Sequence, residues 1–168
     1  MADVMKSIVY QEEVKSKGYF NYSELYNFCF NWLKDEGYMI REEKYQEKLT
    51  GGGKDIEIKW VATKKVTDYF RNSITLNWQI IAMNDAEVER NGKKEKTNKG
   101  DLKIKFTAEL ERDYERRWET NPTNKFFRGI YDRYIIKSTI DQYEDRLWSK
   151  VESFIENTKA FLSLEGKK

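Results

Sequence analysis

The sequence predicts an α+β fold: a curved antiparallel sheet of five to six strands packed on a long C-terminal helix, with one further helix after the first strand. Three observations carry this. Between Ile56 and Trp118 apolar and polar side chains alternate with a period of two, the pattern of strands with one face on a core and the other in water. From Ile136 onward, Ile140, Tyr143, Leu147, Val151, Phe154, Thr158 and Phe161 recur at spacings of three and four, which places them on one stripe of a helix. Leu25, Phe28, Cys29, Trp32 and Leu33 repeat that spacing over a shorter stretch.

Taken in order, Ser7 to Lys15 alternates loosely and reads as a first strand ended by Gly18. Asn21 is placed to cap a helix, and Glu24 three residues later completes a capping-box signature. Gly37 is placed to stop that helix in a left-handed conformation. Met39 to Leu49 is polar on both sides apart from Ile40 and Tyr45, which predicts a strand near a sheet edge, and Gly51-Gly52-Gly53 is the turn after it. Ile56 to Ala62 and Ile74 to Ala82 are half-buried strands. Asn91-Gly92 carries the signal of a type I′ hairpin. Leu102 to Leu110 alternates with a charged face, and the alternation continues through Tyr114 and Trp118. After Asn121-Pro122-Thr123-Asn124, helical spacing runs to Gly166, and the β-branched run Ile135 to Ile140 is where a break is expected. No repeat or linker divides the chain, so residues 1–168 read as a single domain.

Composition excludes several chemistries. Charged residues are 36% and aromatics 15%, so the chain has apolar surface to bury and does not read as disordered. A net charge of +2 gives no global steering toward nucleic acid. There is no histidine, which removes imidazole general acid–base catalysis, Ser-His and Cys-His nucleophile pairs and most zinc or copper sites. The single cysteine cannot form an internal disulfide and fits a reducing compartment. No apolar run reaches the ~20 residues of a membrane span and no signal-peptide pattern opens the chain, so the expectation is a cytoplasmic protein without a transmembrane segment.

The element order resembles that of the START and Bet v 1 helix-grip proteins, in which a curved antiparallel sheet holds a long C-terminal helix. That resemblance implies a hydrophobic-ligand cavity between sheet and helix. The stretches Trp32-Leu33-Lys34-Asp35-Glu36-Gly37-Tyr38 and Phe161-Leu162-Ser163-Leu164-Glu165-Gly166 also resemble microbial proteins that bring no assigned chemistry, so this second likeness implies no activity.

Five constellations can be weighed on their residues. Phe28, Trp32, Trp60, Trp78, Phe106, Tyr134 and Tyr143 would face the space between sheet and helix; they read either as core or as the lining of an apolar ligand site. Lys93, Lys94, Lys96 and Lys99, with Lys103 and Lys105 beyond them, form the local basic cluster. It reads as a solvated hairpin or as a contact for nucleic-acid phosphates or an anionic membrane surface. Asp113, Glu115 and Glu119 among Arg112, Arg116 and Arg117 read as an outer-face ion-pair lattice rather than a carboxylate pair for acid–base work. Cys29 lies on an apolar stripe and reads as a small hydrophobe. Gly51-Gly52-Gly53-Lys54-Asp55 lacks the Ser or Thr and the following helix of a phosphate loop. The sequence-based expectation is a non-enzymatic binding domain with no catalytic residues, metal or cofactor. It holds an apolar small molecule between sheet and helix, or a partner or second copy along the C-terminal helix, with Phe154, Phe161 and Leu162 left exposed for that contact.

Overall fold

The computed structural model describes residues 5–115, 123, 126, 129, 130 and 137–166. Five strands, β1 (Met5–Phe20), β2 (Met39–Thr50), β3 (Gly53–Lys65), β4 (Phe70–Arg90) and β5 (Lys93–Arg112), form one antiparallel sheet in the order β1-β5-β4-β3-β2. Helix α1 (Tyr22–Asp35) follows β1, and helix α2 (Lys137–Gly166) closes the described chain.

Register explains why one face is dry. Val14, Ile104, Trp78 and Ile58 stand opposite one another across four strands, as do Phe106, Leu76 and Trp60, and Ala108, Ile74 and Ala62. Every one of these is buried. Both helices lie on this face. From α1 come Leu25, Cys29 and Leu33; from α2 come Leu147, Val151, Phe154, Ile155 and Leu162. Facing helices meet through stacked rings: Trp32 on Phe154 at 4.1 Å and Phe28 on Phe161 at 5.3 Å. Helix α2 is tied to β1 by polar contacts as well. Lys159 donates to Glu12 at 2.8 Å and holds that carboxyl below its usual range, while Ser7 donates to Glu144 at 3.0 Å.

Local chemistry sets the ends. Asn21 Oδ1 accepts the Glu24 N–H at 3.0 Å, satisfying one of the orphan donors of the first turn. At the other end of α1 the Gly37 and Tyr38 N–H groups donate to the Lys34 and Leu33 carbonyls, with Gly37 at φ +89°. That is the Schellman closure that glycine permits. Asn91 and Gly92 both have positive φ, as a type I′ turn requires. Strand β2 is an edge and is bulged between Glu42 and Lys44. Glu42 stays on the inner side, where it accepts from Trp60 Nε1 at 2.9 Å and from the Tyr26 hydroxyl at 2.6 Å.

Three boundaries differ from expectation. Strand β1 does not end at Gly18: it runs to Phe20, because Gly18 pairs with Gly100 at φ +114° and the ladder continues. Ile74 to Ala82 and the Asn91-Gly92 hairpin are not separate pieces. Strand β4 carries through both, bulging between Ile81 and Asn84 where Ala82 takes φ +54°. Strand β5 stops at Arg112, so the alternation does not continue through Tyr114. Asp113 turns to φ +50°, donates its N–H to the Tyr69 carbonyl at 2.7 Å and is buried, not on a wet outer lattice. Trp118, Glu119, Arg116 and Arg117 lie outside the described residues, as do Ile135 and Ile136 in the expected break; Lys137 to Ile140 are helical.

Candidate functional site

The ring residues named from the sequence lie in several places. Trp60 and Phe106 are fully buried and Trp78 nearly so, and they pack on other rings: Trp60 on Trp78 at 5.3 Å, Phe106 on Phe154 at 5.2 Å. Phe28 and Trp32 are half-buried in the stacks between the helices. Tyr143 stands apart at the far end of the sheet, against Phe70 at 5.2 Å in a second apolar cluster with Leu110. Tyr134 lies outside the described residues. The structure therefore gathers Phe28, Trp32, Trp60, Trp78 and Phe106 into the core and puts Tyr143 elsewhere.

At Tyr143 a cleft of about 310 Å³ opens between the two helices and the sheet. Four segments build it. The C-terminal end of α1 gives Glu36 and, after Gly37, Tyr38; the end of β3 gives Lys64, Lys65 and then Val66; β4 gives Asn72; α2 gives Tyr143, Arg146, Leu147 and Lys150. The α2 residues sit at i, i+3, i+4 and i+7, so one stripe faces the cleft. Lys64 and Asn72 are paired across β3 and β4 and project to the same inner face. Tyr38 is buried, and burial pushes its phenol up to about 12 while the Asn72 side chain pulls the other way. The hydroxyl therefore remains a donor at neutral pH. Asn72 Oδ1 is buried and has no hydrogen-bond partner.

The rim is basic. Lys150 pairs with Glu36 at 3.4 Å and bridges the two helices; Lys65 pairs with Asp68 at 2.7 Å. Lys64 instead extends over the Tyr38 ring, 5.8 Å from its centre, and passes above Gly37. Among the described residues neither Lys64 nor Arg146 has a carboxylate within ion-pair distance. Four cations thus surround a floor of Tyr38, Val66, Tyr143 and Leu147. A phenol donor, an unpaired amide oxygen and an apolar floor at this volume are the ingredients of a small-molecule site.

The basic hairpin has a different character. Lys93, Lys94, Lys96 and Lys99 are all exposed. Register sets Lys94 opposite Glu89 and Lys96 opposite Glu87, and Arg90 pairs with Glu95 at 3.5 Å. Lys99 lies over the Tyr19 ring at 5.3 Å. The cluster is a mixed-charge ribbon rather than a positive stripe.

Helix α2 leaves little apolar surface for a partner. Phe154 and Leu162, expected to be exposed, are buried within the chain, and Phe161 is half-buried on Phe28, because α1 covers that part of the stripe. Trp148 and Leu164 are its exposed large apolar residues. No helix among the described residues is long and apolar enough to cross a membrane.

Cys29 is fully buried, and burial pushes its thiol up to about 12, the opposite of an activated nucleophile. In the native protein the thiol is expected to react with Ellman's reagent only as fast as the chain opens, and at once in denaturant. Stoichiometric reaction within seconds under native conditions would contradict this.

Comparison with protein-family models, with curated proteins and with solved structures finds no match.

Proposed function

We propose that this is a non-enzymatic binding domain whose small-molecule ligand sits at the seam of sheet and C-terminal helix, in the cleft floored by Tyr38 and Tyr143. One observation carries the reading: four segments distant in sequence converge there on an apolar floor with unspent polar groups. The larger hollow beside the α1 N-terminus is a mixed-charge crevice lined by Asn21, Glu24, Asp85, Glu87 and Lys96 among others, with no ring and no aliphatic side chain larger than Ala86. A ligand among Trp60, Trp78 and Phe106, as in a helix-grip cavity, has less support, since those rings are already in contact with one another or with Phe154.

Binding of nucleic acid or an anionic membrane surface by the Lys93–Lys99 ribbon has less support too, because glutamates stand opposite Lys94 and Lys96 and Glu95 pairs with Arg90. So has a partner or second copy along α2, which would meet chiefly Trp148 and Leu164.

The test is to fill the cleft. Val66 is half-buried on its floor and lies in the loop after β3. Val66→Trp is expected to abolish binding of aromatic fluorescent probes while shifting the melting temperature by only a few degrees. Probe binding as tight as in the unaltered protein, with the fold intact, would move the site elsewhere.

A further inference from the structure

We infer that the ligand of this cleft is a small organic anion, a single-ring carboxylate or phosphate monoester, whose charged group is held between Arg146 and Lys64. This deepens the reading just given and rests on it.

The first ground is unbalanced charge. Of the four cations at the rim, Lys150 and Lys65 are neutralised by Glu36 and Asp68, and among the described residues Lys64 and Arg146 have no carboxylate within ion-pair distance. The second is spacing. Arg146 and Lys150 are i and i+4 on α2, so both stand at the rim on the stripe that faces the cleft, and of the two only Lys150 has its charge met, by Glu36. The third is donor chemistry. A guanidinium offers two parallel N–H groups that match the two oxygens of a carboxylate or phosphate, and an ammonium adds a point charge. The Tyr38 hydroxyl supplies a neutral donor, and Asn72 Oδ1 an acceptor for a ligand hydroxyl or amine. The floor of Val66, Leu147 and Tyr143 accommodates an apolar body, and about 310 Å³ is at the small end of ligand sites, enough for one ring rather than a lipid.

The experiment uses the full chain and, by titration calorimetry, two single-ring probes of similar body and different charge: the anion benzenesulfonate and the neutral benzenesulfonamide. The sulfonate is expected to bind one per chain, to weaken as NaCl rises from about 20 to 500 mM, and to be displaced by phenyl phosphate and benzoate. Inorganic phosphate is expected to displace it at least about tenfold less well than phenyl phosphate, since it lacks the ring. Arg146→Glu should weaken the sulfonate by about tenfold or more and leave the neutral probe within about twofold. Arg146 is exposed on α2, so the fold is expected to survive; Lys64→Glu, which also uncovers the Tyr38 ring, is an independent variant read on the sulfonate alone. Neutral-probe binding that is lost in Val66→Trp, with sulfonate binding indifferent to salt, Arg146→Glu and Lys64→Glu, overturns the anion inference and leaves the cleft reading standing. If neither probe responds to Val66→Trp, both fall. Displacement by inorganic phosphate as effective as by phenyl phosphate overturns the single-ring class in favour of free phosphate.

Discussion

Phe154→Ala is expected to be among the most damaging single substitutions, lowering stability by about 3–5 kcal/mol. Phe154 is fully buried where three elements meet: it stacks face to face on Trp32 of α1 at 4.1 Å with the planes 3° apart, and meets Phe106 of β5 edge to face at 5.2 Å. Truncation removes the ring's own transfer free energy and leaves a cavity. That cavity cannot collapse easily, because Phe106 is fixed in the sheet and Trp32 on a capped helix. Urea denaturation measures this as a lower midpoint at unchanged slope. A loss below about 1 kcal/mol would mean that α2 is not seated on the sheet as described.

Arg71→Ala is expected to cost a comparable amount, about 3 kcal/mol, on the opposite face. Glu111 lies on the wet side of β5 yet is only 3% exposed. Arg71 Nε and NH2 both reach its Oε2 at 2.6 Å, and Lys6 stands 3.6 Å away. Removing the guanidinium leaves a buried carboxylate with one longer-range partner, a far larger penalty than the loss of an exposed pair. Replacing both members by apolar residues, Arg71→Met with Glu111→Leu, should recover most of the loss, because the desolvated charge disappears as well. A double-mutant cycle gives the coupling directly. If Arg71→Ala and an exposed-pair control such as Lys15→Ala cost the same, the buried-pair description is wrong.

What could be read from the sequence follows from periodicity. Ile56 to Ala62, Ile74 to Ile80 and Leu102 to Leu110 alternate without interruption, and each inner residue is buried in register with its neighbours. The α2 stripe from Leu147 to Leu162 was equally plain. Turn and cap chemistry was legible where one residue type is demanded, at Asn21, Gly37 and Asn91-Gly92. The ends of β1 and β5 were not, since a glycine can pair within a ladder as Gly18 does with Gly100, and a buried turn at Asp113 breaks a pattern that continues on paper.

The cleft was nearly invisible for a different reason. Its residues come from Glu36, Tyr38, Lys64 to Val66, Asn72 and Tyr143 to Lys150, brought together only by the pairing of β3 with β4 and by the packing of α2. Of these only Tyr143 is a candidate site residue on the sequence, grouped there with rings from which the structure separates it. One signal was available: Arg146 and Lys150 repeat at i and i+4 beside Tyr143 and Leu147, placing two like charges at the margin of a core stripe where an Asp or Glu would balance them.

The most direct test is an amide chemical-shift titration of the isotopically labelled chain with phenyl phosphate. Saturable shifts are expected at Gly37–Tyr38, Lys64–Val66, Asn72 and Tyr143–Lys150, with Lys93–Lys99 unmoved. Shifts confined to the Lys93–Lys99 ribbon, or centred on Trp60, Trp78 and Phe106, would contradict a ligand site at the seam of sheet and C-terminal helix.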